Sequence, residues 1–279
     1  MKNRIYPCLS FNDQSREASD FYLQVFKASS LSSRTDIVSI LNIVGHKFMA
    51  LDAGADFKPN PAMSFYTVFE SEKELKQVWN SLSETGMVMM PLNKYDWSEL
   101  YGWVSDKFGV SWQLSLGKRS DMGQKITPAL MFVGRQFGKA EEAIDFYTTI
   151  FDDSNQIVMN RYREDDKLQA GKLVHAQFQL KGQRFIAMDS GMEHKFQFSE
   201  GNSFVVSCKN GKEIDHYWEA LSAGGEKSRC GWLKDKFGLS WQIVPAELGE
   251  WMKDKDRTKR IMAKVITMDK LDYDELKNA

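Results

Sequence analysis

Three polar side chains share one face of a predicted strand in the second half of the chain. His175, Gln177 and Gln179 alternate with apolar residues across 173–180, which is the pattern of a strand with one face on a core. The near-neutral pKa of histidine suits His175 to act as a general base, a proton donor or a substrate ligand. A hydrogen-bonded structural histidine is the alternative interpretation. We therefore treat His175 as a candidate catalytic residue and Gln177 and Gln179 as candidate ligand-binding residues.

The other residues of reactive type are explained more simply by structure. His46 follows a predicted hairpin turn, and His194 and His216 occupy polar positions, so we expect all three imidazoles to be solvated. Asp52 and Asp189 end equivalent strands just before glycines, where a turn accounts for them better than chemistry does.

The chain contains one pattern twice. Residues 102–113 read GWVSDKFGVSWQ and return at 231–242 as GWLKDKFGLSWQ, and the strand 5–11 returns at 126–132. The offset between equivalent residues moves from about 121 to about 139 and back to about 129, so the copies differ in loop length. This pattern predicts a duplicated domain.

Each copy in turn contains two similar halves of strand, helix and three strands. In the second copy, apolar stripes mark helices at 138–151 and from 214 onward, and strands are predicted near 156–163, 172–181 and 183–189. Ser71 and Asn210 are predicted N-caps, each three residues before a glutamate. We predict an α+β fold with four βαβββ halves.

The predicted boundaries follow from these elements. The first domain covers 1–118, a polar glycine-bearing linker covers 119–124, and the second domain covers 125–246. Residues 247–279 are charged with a narrow apolar stripe, which predicts one or two docked amphipathic helices, with a solvated tail as the alternative.

Composition limits the classes of partner. The 37 Lys and Arg residues balance 38 Asp and Glu, so charge gives no reason to expect nucleic acid or an anionic membrane. No apolar run is long enough to span a bilayer, and the three cysteines, Cys8, Cys208 and Cys230, show no disulfide or metal spacing. We expect a cytoplasmic protein whose partner is a small molecule, and an internal pseudo-dimer or a homodimer as its assembly.

Paired βαβββ halves, the Pro-x-Leu-x-Phe first strand and the Asp-x-Phe-Gly-x-x-Trp-Gln hairpin resemble the vicinal oxygen chelate superfamily of glyoxalases, extradiol dioxygenases and bleomycin resistance proteins. The segment 228–242 is most similar to the PhnB-like branch, often labelled 3-demethylubiquinone-9 3-methyltransferase. The resemblance covers 1 to about 246. It implies tandem glyoxalase-like domains, each with two βαβββ halves that form a cupped mixed sheet.

The resemblance also implies where a metal would bind. Relatives that depend on a metal hold a divalent ion with first-strand residues and a final-strand glutamate, which here corresponds to Gln113 and Gln242. The first-strand positions offer Tyr6, Cys8 and Ser64 for one site and Thr127, Ala129 and Ser203 for the other. Because these sets lack histidine and carboxylate, we expect no metal cofactor, with a divalent ion as the alternative.

Four tryptophans recur in the two closing hairpins, at 103, 112, 232 and 241. Packing explains them, and a cup lined with tryptophan would also suit a flat or apolar ligand. The candidate ligand-binding residues are Gln177, Gln179, Gln242, Trp241, Trp232, Ser203, Gln113 and Trp112.

Three functions follow from this sequence, beside a structural or regulatory role as an internal pseudo-dimer. The first is binding of a small organic molecule without the metal triad, and the second is a metal-dependent lyase, isomerase or dioxygenase. The third is the methyltransferase of the family label, which lacks support because no glycine-rich turn for a methyl donor occurs. The sequence leaves open whether the protein is an enzyme.

Overall fold

The computed structural model describes residues 4–279, which divide into two compact units. One unit contains residues 7–202, and the other contains 203–279 together with residues up to Tyr6. No helix within the described residues is long and apolar enough to cross a membrane.

The elements up to residue 201 are β1 (Ile5–Phe11), α1 (Ser15–Val25), β2 (Ser30–Arg34), β3 (Val38–Ile43), β4 (His46–Asp52), β5 (Met63–Phe69), α2 (Glu72–Ser83), β6 (Met87–Tyr95), β7 (Ser98–Ser105), β8 (Ser111–Leu116), α3 (Arg119–Met122), β9 (Ile126–Phe132), α4 (Ala140–Ile150), β10 (Asn155–Arg161), β11 (Leu173–Leu180) and β12 (Gln183–Asp189). The later elements are β13 (Asn202–Cys208), α5 (Gly211–Ser222), β14 (Glu226–Lys227), β15 (Trp232–Lys234), β16 (Ser240–Pro245), α6 (Leu248–Trp251), α7 (Lys255–Val265) and α8 (Tyr273–Lys277). The predicted α+β fold with four βαβββ halves is confirmed.

An eight-stranded mixed sheet dominates the unit of residues 7–202. Its strand order is β10-β11-β12-β9-β5-β8-β7-β6. The two halves of this sheet come from different copies, because β5–β8 belong to the first copy and β9–β12 to the second. They join where β5 and β9 run antiparallel, with Ser64 opposite Ala129. The expectation that both halves of one copy form a shared sheet therefore does not hold for these strands. The sequence could not decide this pairing, since each half offers a similar first strand.

Short turns and helix caps occur at the predicted places. Lys181 and Gly182 both have positive φ, 48° and 75°, which is the backbone of a two-residue hairpin turn between β11 and β12. The side chains of Ser71 and Asn210 accept hydrogen bonds from backbone N–H groups three residues later, at 3.3 and 3.0 Å. Both predicted N-caps are therefore confirmed.

Asp52 and Asp189 hold the starts of helices. The Asp52 carboxylate accepts hydrogen bonds from the backbone N and the hydroxyl of Ser15 at 2.8 and 2.6 Å. Asp189 Oδ1 accepts from the backbone N of Gly138 and of Ala140 at 2.8 and 3.2 Å. Their role is structural but differs from the predicted turn, because each carboxylate accepts from groups at the start of a distant helix.

The repeated hairpin is organised by a buried carboxylate. Asp106 Oδ1 accepts from the backbone N of Phe108 and Val110 at 2.9 and 3.1 Å, and Oδ2 accepts from Trp112 Nε1 and from the Tyr22 hydroxyl, both at 2.9 Å. Burial raises the pKa of Asp106 to about 6, against the opposing effect of these four donors. The four bonds fix both the turn and the indole.

The second copy repeats this arrangement. Asp235 accepts from the backbone N of Phe237 and Leu239 at 2.9 and 3.1 Å, and from Trp241 Nε1 at 2.9 Å. The Asp-Lys-Phe-Gly-x-Ser-Trp motif therefore recurs because one carboxylate must reach two turn amides and an indole.

We expect Asp106→Asn to lower the free energy of unfolding by about 3 kcal/mol, because an amide nitrogen would replace one acceptor and leave a buried donor unpaired. Asp96→Asn, at an exposed position, is the matched control. Chemical denaturation monitored by tryptophan fluorescence measures both variants. Equal stability of the two variants would show that the carboxylate does not organise the hairpin.

His46 is not the solvated residue that we predicted. Its Nε2 accepts a hydrogen bond from the backbone N of Ile126 at 3.3 Å, so the ring must be neutral at that nitrogen. Burial, with Arg119 nearby, lowers the pKa of His46 to about 4. Of the other two, His194 contacts the Ser190 hydroxyl at 2.8 Å and is half-buried, while His216 is exposed as predicted.

We expect acid to destabilise the protein through His46. Its folded pKa lies below the unfolded value, so its contribution is complete above about pH 6.5 and is lost as the pH falls toward 4, by about 3 kcal/mol. His46→Gln keeps an acceptor and should remove this loss. Comparing the two proteins isolates His46 from Asp106, whose raised pKa has the opposite sign. Parallel stability curves between pH 7 and 4 would contradict this prediction.

Candidate functional site

The register of the eight-stranded sheet defines its inner face. Gln177 lies opposite Ile186, Ile186 opposite Ala129, and Ala129 opposite Ser64, so these four side chains point to the same side. Gln113 joins them because it is hydrogen-bonded to Ser64. We call the face that carries these five residues the inner face.

Gln113 is held in one orientation on the inner face. The Tyr101 hydroxyl donates to Gln113 Oε1 at 2.8 Å, and Gln113 Nε2 donates to the Ser64 hydroxyl at 2.7 Å. The glutamine is 5% exposed. Because the amide oxygen already accepts from a phenol, Gln113 is a fixed polar group rather than a free ligand for a cation.

Four aromatic rings lie beside Gln113 and form what we call the aromatic cluster: Tyr66, Tyr95, Trp97 and Tyr101. Tyr95 stacks on Trp97 with centroids 5.0 Å apart, and both rings meet Tyr101 edge-on at 5.7 and 5.9 Å. Tyr66 lies 6.5 Å from Tyr101. Trp97 is 64% exposed, so the cluster presents an aromatic surface to solvent.

Two tyrosines of the cluster, Tyr66 and Tyr101, have raised pKa values. Burial raises the pKa of Tyr101 far above its usual value, and the neighbouring Tyr66 and Tyr95 add to the rise. Burial also raises the pKa of Tyr66, although a hydrogen bond with Ser115 lowers it in part. Both phenols therefore stay protonated.

Three of the four cluster residues come from a long hairpin that only the first copy has. Strands β6 and β7 contain nine and eight residues, whereas β14 and β15 in the second copy contain two and three. These three residues were not among the candidates predicted from the sequence. The available signal was the return of the offset from about 139 to about 129, because that change falls in this hairpin.

A methionine from the linker covers part of the inner face. Met122, at the end of α3, forms a buried cluster with Val68, Ala129 and Ile186. Tyr66 and Met188 pack against this cluster and remain partly exposed. The linker therefore closes the centre of the sheet and leaves the aromatic cluster at its border.

His175 and Gln177 lie on the inner face but far from Gln113. The His175 ring nitrogen Nε2 is 3.3 Å from Gln177 Nε2, and burial lowers the pKa of His175. Strands β11 and β8 are separated by three strands, or about 19 Å across a flat sheet. Gln179 instead binds the turn at Asp153, whose carboxylate lies 3.1 Å away.

Trp112 and Trp241 lie in the core instead of lining a cup. They are 0% and 1% exposed, and each indole nitrogen is bonded to the aspartate of its hairpin. Trp112 packs on aromatic rings of α1, β4 and β5, with centroids 4.8 to 6.4 Å apart. Neither indole therefore offers a surface to a ligand.

The remaining candidates belong to the unit of residues 203–279. Gln242 Nε2 donates to the Ser203 hydroxyl at 3.0 Å, which repeats the pairing of Gln113 with Ser64. Trp232 lies opposite Gln242 in the sheet and is half-buried. The structure thus places Gln242, Ser203 and Trp232 in a different unit from His175.

The positions that hold a metal in related folds do not suit one here. On the inner face, Ser64 lies opposite Ala129 and Tyr66 lies opposite Thr127. Ser64 therefore does not share a metal position with Tyr6 and Cys8, as the sequence had suggested, but lies with residues of the second copy. Among residues 4–279, no three His, Cys, Asp or Glu side chains come together in a group able to hold an ion. Hydroxyls and one engaged amide are weak ligands for a divalent ion.

Comparison with known proteins identifies the family. The sequence profile described as 3-demethylubiquinone-9 3-methyltransferase matches residues 3–115 and again residues 124–244. The chain belongs to this family. The double match confirms the duplication and the predicted resemblance to the PhnB-like branch of the vicinal oxygen chelate superfamily. No curated protein matches the chain.

Solved structures show the same fold. Glyoxalase I from Zea mays superposes with a TM-score of 0.56 at 12% identity, over 86% of this chain and 91% of that chain. A PhnB protein from Bacillus cereus, described as a 3-demethylubiquinone-9 3-methyltransferase, is 35% identical over 40% of this chain and 98% of its own, with a TM-score of 0.38. The similarity to glyoxalase I shows the fold alone.

We expect the purified protein to lack a stoichiometric divalent metal. Dialysis against EDTA should leave the melting temperature unchanged, and Zn²⁺, Ni²⁺, Mn²⁺ or Co²⁺ should raise it by less than about 1 °C, because ligands that prefer the folded state stabilise it. Elemental analysis and thermal unfolding provide the measurements. About one equivalent of metal, lost with EDTA together with stability, would contradict the side-chain argument.

Proposed function

We propose that this protein binds a small, flat or apolar organic molecule on the inner face beside Gln113, without a metal triad. The observation that carries the proposal is the aromatic cluster, whose exposed Trp97 stacks on Tyr95 next to a fixed amide. Binding sites for small molecules combine aromatic walls with a few placed polar groups.

The cluster has the geometry of a stacking surface. The rings of Tyr95 and Trp97 stack with centroids 5.0 Å apart and 23° between their planes, so Tyr95 supports one side of the indole, which is 64% exposed. The Tyr95 hydroxyl donates to the Pro91 carbonyl at 2.9 Å, which orders the hairpin that carries both rings. A ring packed against Trp97 would gain dispersion and apolar burial at little cost in side-chain entropy.

Polar groups beside the cluster would orient the ligand. The hydroxyls of Ser98 and Ser115 lie 3.1 Å apart, and Ser115 also interacts with Tyr66. Gln113 and Tyr101 complete this polar border. The arrangement favours a ligand with one apolar ring system and one or two oxygen atoms.

The other two functions have weaker support. A metal-dependent lyase, isomerase or dioxygenase needs ligands that the inner face does not supply, as argued above. Methyl transfer comes with the family description, and it requires a site for a methyl donor as well as an acceptor. A catalytic role for His175 would require a ligand that spans the three strands between β11 and β8.

We expect compounds of the naphthoquinone type to raise the melting temperature and Trp97→Ala to weaken their binding about tenfold, because the stacking partner is lost. Leu168→Ala, at another exposed apolar residue, should bind as the wild type does. Gln113→Leu should also weaken binding, whereas Gln242→Leu, the same change in the second copy, should not. Calorimetric titration measures each dissociation constant.

The same titration separates the alternatives. Equal losses of affinity in Trp97→Ala and Leu168→Ala, or no binding of any aromatic compound, would contradict the proposal. Tight binding of S-adenosylmethionine would favour the methyltransferase in its place.

A further inference from the structure

The second copy contains a counterpart of the Gln113 site with different borders. Gln242 and Ser203 repeat Gln113 and Ser64, but Cys230 stands where the repeated segment of the first copy has Tyr101. Val244, two residues after Gln242 on the same strand face, stands where the first copy has Ser115. The polar border of the first copy is therefore replaced by sulfur and an aliphatic side chain.

Helices α6 to α8 pack against the border of this counterpart, at Cys230 and Val244, and we refer to these helices as the 248–277 segment. Four of its side chains, Ile261, Val265, Leu271 and Leu276, form a buried cluster. Cys230 and Val244 pack against that cluster together with residues of the segment itself. The two border residues that replace Tyr101 and Ser115, namely Cys230 and Val244, are thus the ones that contact the segment.

Backbone contacts reinforce this docking. Cys230 N donates to the Met268 carbonyl and Gly231 N donates to the Asp269 carbonyl, both at 2.7 Å. Gly231 has φ of 82°, and a Cβ placed there would lie 2.8 Å from the Ile243 carbonyl oxygen and 3.1 Å from Leu271 Cγ. The positive φ, the neighbouring strand and the segment therefore all favour glycine at the position where the segment docks.

The short hairpin makes room for the segment. Strands β14 and β15 have two and three residues, so the second copy has no arm like the one that carries the aromatic cluster. We infer that the 248–277 segment is the resident occupant of the second copy's site, so that the chain offers one ligand site and would offer a second if the segment were released. The number of ligand sites rests on the function proposed above. The docking of the 248–277 segment on the second copy does not rest on it.

Release of the segment requires less than global unfolding. Its buried cluster is small, and its helices are mainly exposed and charged, with ion pairs such as Lys264 with Glu275 on their surface. Elements with few buried contacts open at lower free energy than core strands. The strands β13 and β16 pair through six residues and do not depend on the segment for their hydrogen bonds.

A matched pair of substitutions tests the occupancy. Ile261 is 0% exposed and Ile266 is 57% exposed on the turn that follows the same helix, so Ile261→Asp should release the segment and Ile266→Asp should not. The readout is the reaction of Cys230 with 5,5′-dithiobis(2-nitrobenzoate), which should accelerate at least tenfold in Ile261→Asp. Cys8 and Cys208 are 0% exposed, so the absence of a reaction at these two thiols shows that the remainder of the protein stays folded.

The number of ligand sites is tested with the fluorescent dye 8-anilinonaphthalene-1-sulfonate. Wild type and Ile266→Asp should bind one dye molecule, and Ile261→Asp should bind two. Adding Trp232→Ala should remove the second dye, and adding Trp97→Ala should remove the first. If only the second dye is seen in Ile261→Asp, the inference holds and the proposed function fails.

Two results would overturn the inference: unchanged Cys230 reactivity in Ile261→Asp, or a second dye that Trp232→Ala does not affect. If Ile261→Asp exposes all three thiols, hydrogen exchange of the unmodified chain decides. Exchange of the 248–277 amides while β13 and β16 stay protected supports a detachable occupant. Exchange of the segment only with global unfolding contradicts it.

Discussion

The buried carboxylate of Asp106 determines which way the closing strand of its half must face. It binds the indole nitrogen of Trp112 and two turn amides, which draws the tryptophan to the side that packs on α1. Because neighbouring side chains in a strand point to opposite faces, Gln113 must then point to the inner face. The hydrogen bonds of one carboxylate thus direct the Gln113 side chain toward Ser64 and Tyr101. Asp235 does the same for Gln242 in the second copy.

Both copies have the same aspartate–tryptophan hydrogen bond and the same glutamine–serine pair, and they differ in the residues around them. The first copy extends a hairpin that brings three aromatic residues to the border of Gln113. The second copy shortens the hairpin and meets a helical segment with Cys230 and Val244. The hairpin core is constrained by the aspartate, while its arm is free to change in length. The structural differences between the copies therefore lie in this arm and in the linker, where Met122 covers part of the sheet.

Local features were predictable from the sequence because local physics determines them. Alternation gave β11, and the N-caps followed from Ser71 and Asn210. Trp112 and Trp241 could not be placed, since large aromatic residues suit a core and a ligand site equally well. The environment of His46 depends on a backbone amide 80 residues away, which no local pattern records. The aromatic cluster was missed because three of its residues come from a long hairpin without a counterpart in the second copy, so the repeat does not mark them.

The antiparallel seam between β5 and β9 joins the two copies through backbone hydrogen bonds. Either copy made as a separate polypeptide would leave one edge of β5 or β9 without a partner, and an unpaired edge of this kind readily recruits another strand. Two separate copies would each bring one half of the same sheet. The covalent tandem therefore has the architecture of a dimer whose subunits cannot dissociate, and this frees each half-site to diverge without losing its neighbour.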